Sequence, residues 1–147
     1  MCIRDRVLEA VVTLVGTGQL APAQPEDAAR AASARTQTLN AELCRKARGG
    51  GEISVLASPV TGGAVAVGRF AQLFLLARTQ GHLEPAAWAA QVQAVLAAQG
   101  QKLVQDGVPL EPGPATLALL TEQATKFAAG DLRVPVSYTH LTLPTKA

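Results

Sequence analysis

The sequence predicts a mainly α fold carrying one short β-hairpin, a small α+β domain, and three observations predict it. Residues 53–67, ISVLASPVTGGAVAV, gather Ile53, Val55, Val60, Thr61, Val65 and Val67 around a turn signal at Thr61, Gly62 and Gly63. That is the pattern of a short, partly irregular hairpin. Directly afterwards Phe70, Leu73, Phe74 and Ala77 recur at i, i+3, i+4 and i+7, the spacing of a helix with one buried face. On either side the chain is rich in Ala, Leu and Gln and is punctuated by Gly and Pro, which reads as further helices.

Taken in order, residues 7–15, VLEAVVTLV, form the end of a helix or a buried strand, two readings that periodicity alone does not separate at this length. Gly16 and Gly18 stop that run. Pro22 and Pro25 make residues 21–27 extended or looped, a linker. A helix follows over residues 28–48, with Leu39, Leu43 and Ala47 spaced by four. Its last turn carries Arg45, Lys46 and Arg48, where cations oppose the negative end of the helix dipole, and Gly49, Gly50 and Gly51 end it. After the hairpin and its helix, which closes near Gln80 and Gly81, Pro85 fits the first turn of the next helix. Trp88, Val92, Leu96 and Leu103 line one side of this helix to about Gln105, with a weak point at Gly100 and with Gln91, Gln101 and Lys102 facing water. Asp106, Gly107 and the prolines at 109, 112 and 114 make a loop. A last helix over residues 115–129 places Leu117, Leu120, Ala124 and Phe127 on one stripe, and Gly130 ends it.

The two ends of the chain mirror each other at the level of codons. MCIRD at residues 1–5 can be encoded by ATG TGT ATA AGA GAC, and the reverse complement of that string encodes VSYTH, which stands at residues 136–140. Such an inverted repeat resembles the mosaic end of a transposase sequencing adapter, and LTLPT at 141–145 resembles its continuation. The expected organisation is therefore an adapter-like segment at 1–6, the close of a preceding unit and a linker at 7–27, a helical domain at 28–130, and a truncated end with adapter-like sequence at 131–147.

Between residues 7 and 135 there are ten Lys and Arg against ten Asp and Glu, so the formal charge of +2 for the whole chain comes from its ends. A neutral segment with dispersed charges lacks the basic footprint of a nucleic-acid binder. Cys44 is the single cysteine of that segment, which excludes a disulfide framework and suits a reducing compartment such as a cytoplasm. Arg69 and Gln72 interrupt the most apolar window, so no membrane span is expected.

Four arrangements invite a chemical reading. Gly16, Gly18 and Ala21 match the G-x-G-x-x-A form of the dinucleotide fingerprint, but Pro22 and Pro25 fall where its phosphate-facing helix must start. Gly49, Gly50 and Gly51 could cradle a phosphate, yet no Gly-Lys-Ser/Thr follows, so a plain loop is the better reading. Cys44 and His82 could form a nucleophile and base but lack an orienting third group; Cys44 reads better as a small buried residue. One Cys, one His and scattered carboxylates do not make the three or four ligands a metal requires. Trp88, at helical spacing among aliphatic residues, reads as a core anchor. Ser58, Pro59, Thr61, Gly62 and Gly63 form the one conformationally special loop, read as a structural turn before a binding loop. No catalytic, cofactor-binding or metal residue is assigned.

The strings LNAELCRKARGGGEISVLASPVTGGAVAVGRFAQLFLLAR, AAWAAQVQAVLAAQGQKLVQDGVPLE and LTEQATKFAAG resemble the C-terminal region of bacterial class I S-adenosylmethionine-dependent methyltransferases that carry a methyltransferase regulatory domain. These are similar to the rickettsial protein-lysine methyltransferases. The match is best at LASPVTGG followed by GRFAQLFLLA, and it departs from the family pattern at EPGPATLALL. The resemblance implies a non-catalytic accessory region that acts in domain packing, substrate presentation or dimer contact, following the end of a winged-helix-like unit. It also implies that S-adenosylmethionine binds a Rossmann-like domain N-terminal to this region, which is the partner in cis, with a homo-oligomer or a protein substrate as further partners. A different reading of the same elements is a winged-helix-like nucleic-acid-binding module with the hairpin as its wing, and a third is a stand-alone helical interaction protein.

Overall fold

A computed structural model describes residues 3–129 of the chain. Five helices and two two-stranded antiparallel sheets follow one another as α1 (Ile3–Gly16), α2 (Glu26–Lys46), β1 (Val55–Ala57), β2 (Ala64–Ala66), α3 (Arg69–Thr79), α4 (Pro85–Ala98), β3 (Leu103–Gln105), β4 (Val108–Leu110) and α5 (Pro114–Ala129). The mainly α fold with a hairpin over residues 53–67 is therefore present. Gly130 and residues 131–147 lie outside the described residues, as do Met1 and Cys2.

The core is built on α3, where residues 72–77 are all buried, because α2, α4 and α5 pack around it. Phe74 stands at its centre, with ring centroids 6.5 Å from Trp88 of α4 and 5.8 Å from Phe127 of α5. Such tilted pairs favour edge-to-face contact and add to the area they bury. Trp88 is the anchor that its spacing predicts: it is 3% exposed, and its indole N–H donates to the carbonyl of His82 at 2.6 Å. From α5 the buried stripe is Thr116, Leu120, Ala124 and Phe127, with Leu117 half-buried beside it.

Three expectations are corrected. The helix carrying Trp88 ends at Ala98 and does not reach Gln105. Gly100 takes φ +62° just past its end, the N–H of Gln101 donates to the carbonyl of Leu96 at 2.9 Å, and that of Gly100 to Ala97 at 3.1 Å. These are the paired bonds of a Schellman motif, so Gly100 closes the helix instead of weakening its middle. The chain then enters a second hairpin. Asp106 (φ 50°) and Gly107 (φ 80°) form the two-residue loop between β3 and β4, in the positive-φ geometry of a type I′ turn. Leu103 is buried all the same, but from a strand.

Of the stripe expected at the end of α2, Ala47 is buried and Leu43 is half-buried against the core, but Leu39 is 50% exposed and Asn40 and Cys44 are buried beside it. Gln91 and Gln101, expected in water, are half-buried: the Gln91 amide lies 3.1 Å from His82 Nε2, and Gln101 Oε1 accepts from Arg69. Residues 7–15 are helix, not strand, and no residue of α1 is buried.

Candidate functional site

Most of the chain's special residues converge on the β1–β2 hairpin and the ends of the helices around it. The hairpin is short, pairing Val55 with Ala66, Leu56 with Val65 and Ala57 with Ala64. Two three-residue strands are marginal by themselves, and polar side chains from elsewhere fasten them. Asn40 of α2 makes a reciprocal pair with Ala57: its Oδ1 accepts the Ala57 N–H and its Nδ2 donates to the Ala57 carbonyl, both at 2.8 Å. Gln72 of α3, wholly buried, donates through Nε2 to the carbonyls of Ile53 at 2.7 Å and Val67 at 2.8 Å, the two residues that flank the hairpin. Its Oε1 is buried with no hydrogen-bond partner.

Arg69 fastens the other side. Its guanidinium donates to the carbonyls of Ala47 at 2.9 Å and Arg48 at 3.2 Å, just beyond α2, and to the side-chain oxygens of Gln99 at 2.9 Å and Gln101 at 2.6 Å, just beyond α4. Carbonyls left over at a helix C-terminus need donors, and the planar fork of arginine satisfies several at once. Gln99 Nε2 also donates to the Arg48 carbonyl.

The loop at residues 58–63 is packed from within. Ser58 and Pro59 are buried, the Gly62 N–H donates to the Ser58 carbonyl at 3.0 Å, and the Ser58 N–H donates to Gly63 at 2.8 Å. The linker crosses it, with the Gln24 N–H donating to the Val60 carbonyl at 2.7 Å. Gly62 takes φ +67°, a backbone geometry that favours glycine, whereas the Gln24 amide beside it is the end of a flexible, exposed side chain that could give way to a Cβ. The hairpin is thus fastened to α2 by Asn40 and to α3 by Gln72, and its loop to the linker at Gln24.

The remaining candidates separate. Gly16 and Gly18 follow a helix, with no strand before them, and α2 starts only at Glu26, so the strand–loop–helix context of a dinucleotide fingerprint is not formed. Gly49, Gly50, Lys46, Ala47, Glu52 and Ile53 line an open depression of about 320 Å³. It sits at the C-terminal end of α2, whose dipole repels a phosphate. Cys44 is 4% exposed on the inner side of α2, and burial pushes its thiol up to about 11, so at neutral pH it is a thiol and not a nucleophilic thiolate. A cavity of about 50 Å³ between α3 and α4, reached by Arg48, Gln80 and Gln91, has room for water but not for a cofactor.

Among the described residues no three His, Cys, Asp or Glu side chains gather where they could hold a metal. The ion pairs, Arg30 with Glu26, Arg45 with Glu42, Lys102 with Glu111 and Lys126 with Glu122, are exposed. Lys126 hydrogen-bonds Glu122 and holds its carboxyl below the usual range. No helix among the described residues is long and apolar enough to cross a membrane. Sequence reasoning named Arg69 and Gln72 only as interruptions of an apolar window and passed over Asn40. The signal available was a polar side chain at the position where a buried stripe continues.

No family model matches the chain, and no solved structure does. The chain is similar to the uncharacterized protein sll1526 of Synechocystis sp., with 31% identity over 123 residues that make up 84% of this chain and 24% of that protein. The chain therefore spans about a quarter of the length of the curated relative it matches.

Proposed function

We propose that this chain is the non-catalytic C-terminal accessory region of a bacterial, cytoplasmic S-adenosylmethionine-dependent methyltransferase, one of the protein-lysine type, acting in domain packing or substrate presentation. The observation that supports this reading is the use made of the residues carrying the resemblance. LASPVTGG becomes the strand and loop that Asn40 and Gln24 fasten, and GRFAQLFLLA becomes the helix whose Arg69 and Gln72 hold backbone carbonyls. Their polar groups are turned toward their own main chain, so these residues stabilise a scaffold. A relative about four times as long as the matched stretch suits a region that works beside a larger catalytic part.

S-adenosylmethionine belongs, on this reading, to that other part. Methyl transfer from S-adenosylmethionine labelled on its methyl group tests the division of labour. The full-length Synechocystis relative is expected to label protein, and this chain alone to give background. Turnover by the chain alone overturns the non-catalytic assignment, and absence of S-adenosylmethionine binding by the full-length relative overturns the methyltransferase assignment.

A further inference from the structure

Among the described residues, α1 is the one helix with no buried residue. Within residues 7–15, six apolar side chains, Val7, Leu8, Val11, Val12, Leu14 and Val15, occupy an arc of about 160° at 100° per residue, leaving Glu9 and Thr13 on the opposite side. Val7, Leu8 and Val12 are 59%, 63% and 62% exposed, Val11 and Val15 are exposed as well, and Leu14 is only half-buried. The core on α3 closes without them. A helix of 14 residues is marginal in water when nothing packs on it, so an apolar arc of this width calls for a cover.

The shape of the arc and the route of the chain select the cover. A pair of identical helices buries a seam of two positions in seven, which would leave much of this arc wet. A concave surface made by several elements covers it all. The linker leaves α1 and is fixed at Gln24 to the loop of the first hairpin, so α1 is tethered close to the domain. About three-quarters of the Synechocystis relative lies outside the match, enough to form such a surface. Tethering also raises the effective concentration of a partner in the same polypeptide far above that of a second molecule.

We infer that the Val7, Leu8, Val11, Val12 and Val15 face of α1 docks into an apolar groove of the catalytic part of the same longer polypeptide, and so fixes the accessory domain to it. This rests on the accessory-region reading. Hydrogen exchange, read by mass spectrometry, tests it on this chain and on the full-length relative over the segment aligned with α1. The amides of α1 are expected to exchange at least roughly tenfold more slowly in the monomeric relative than in this chain. Aspartate at the relative's positions aligned with Val7 and Val11 should abolish that protection and leave the core protected. Equal, fast exchange in both proteins overturns the inference. So does protection in this chain alone that grows with concentration as the mass doubles, since a second copy is then the cover. S-adenosylmethionine binding, measured calorimetrically on the same samples, separates the two claims: a protected α1 in a relative that does not bind leaves the docking and sinks the methyltransferase reading, and binding with a free α1 does the reverse.

Discussion

Helix α3 buries residues 72–77 without a break, whereas α1, with VLEAVVTLV along its length, buries none. Both are strongly apolar. The difference is in what the rest of the chain brings to them. α3 has the base of a hairpin on one side and the rings of Trp88 and Phe127 on others, and even its Gln72 finds two carbonyls there. Apolar content states that a face needs cover; residues far away in sequence decide whether it has any. The polar Gln72 at the centre of α3 is held for the same reason, since the two bonds that its Nε2 donates offset part of the cost of burying the amide, while its Oε1 accepts none.

The largest break in this contrast comes from taking away what α3 packs on. Trp88→Ala removes a ring against Phe74 and the donor to the His82 carbonyl, and it leaves a void in a core with few aromatic residues. It should lower unfolding stability by about 3–5 kcal/mol, read from the denaturant midpoint of the whole chain. An effect under about 1 kcal/mol would show that the α3–α4 contact is loose and that the two regions differ less than their burial implies.

Asn40→Ala tests the fastening of the hairpin. It orphans the N–H and carbonyl of Ala57, a half-buried strand residue, and should cost about 2 kcal/mol. Hydrogen exchange should show the loss concentrated in residues 55–66, with α4 and α5 little changed. Uniform loss over all elements would mean that the hairpin is part of one cooperative core.

Much of this arrangement was legible in the sequence. The hairpin at 53–67, the helix phase of Phe70, Leu73, Phe74 and Ala77, Pro85 at the first turn of α4 and the core position of Trp88 follow from periodicity and capping, which are local. The failures are positions where a distant partner decides. Leu39 is the more apolar choice, but Asn40 faces inward because Ala57 offers it a donor and an acceptor. Leu103 lies seven residues after Leu96, so its spacing imitates another helical turn. The Asp106 and Gly107 signal that outweighs it is flanked by strands of only three residues, too short to register as alternation. Arg69 and Gln72 read as interruptions because their acceptors, the main chain beyond α2 and around the hairpin, are not neighbours in sequence. For the candidate site, the burial of Cys44 was legible in the sequence, but the polar fastening was not.

Cys44 sharpens the comparison by reporting whether the inner face of α2 stays dry. Its folded-state pKa is raised by burial, from an ordinary value near 9.0 to about 11. The unfolded chain therefore loses this proton first as pH rises, and the Cys44 contribution is fully present below the ordinary value. It falls progressively from about pH 9 to about pH 11. Cys44→Ala should flatten that alkaline decline in stability relative to the unaltered chain. Identical slopes would mean that water reaches the thiol.

The smallest expected effect is the most informative about α1. Val11→Asp places a charge in the middle of the apolar arc, a change that would be severe at Leu73 or Phe74. In this chain Val11 is 43% exposed and the core closes without it, so the denaturant midpoint should move by no more than about 0.5 kcal/mol, the range of ordinary surface substitutions. Leu73→Asp in parallel should prevent folding, because an unpaired carboxylate on α3 has no route to water. If Val11→Asp instead costs as much as a core substitution, α1 packs on this domain in solution and the contrast between the two helices collapses. If it is silent here yet frees α1 in the longer relative, the same substitution separates what the domain needs in order to fold from what it needs in order to dock, a division that hydrophobicity alone does not draw.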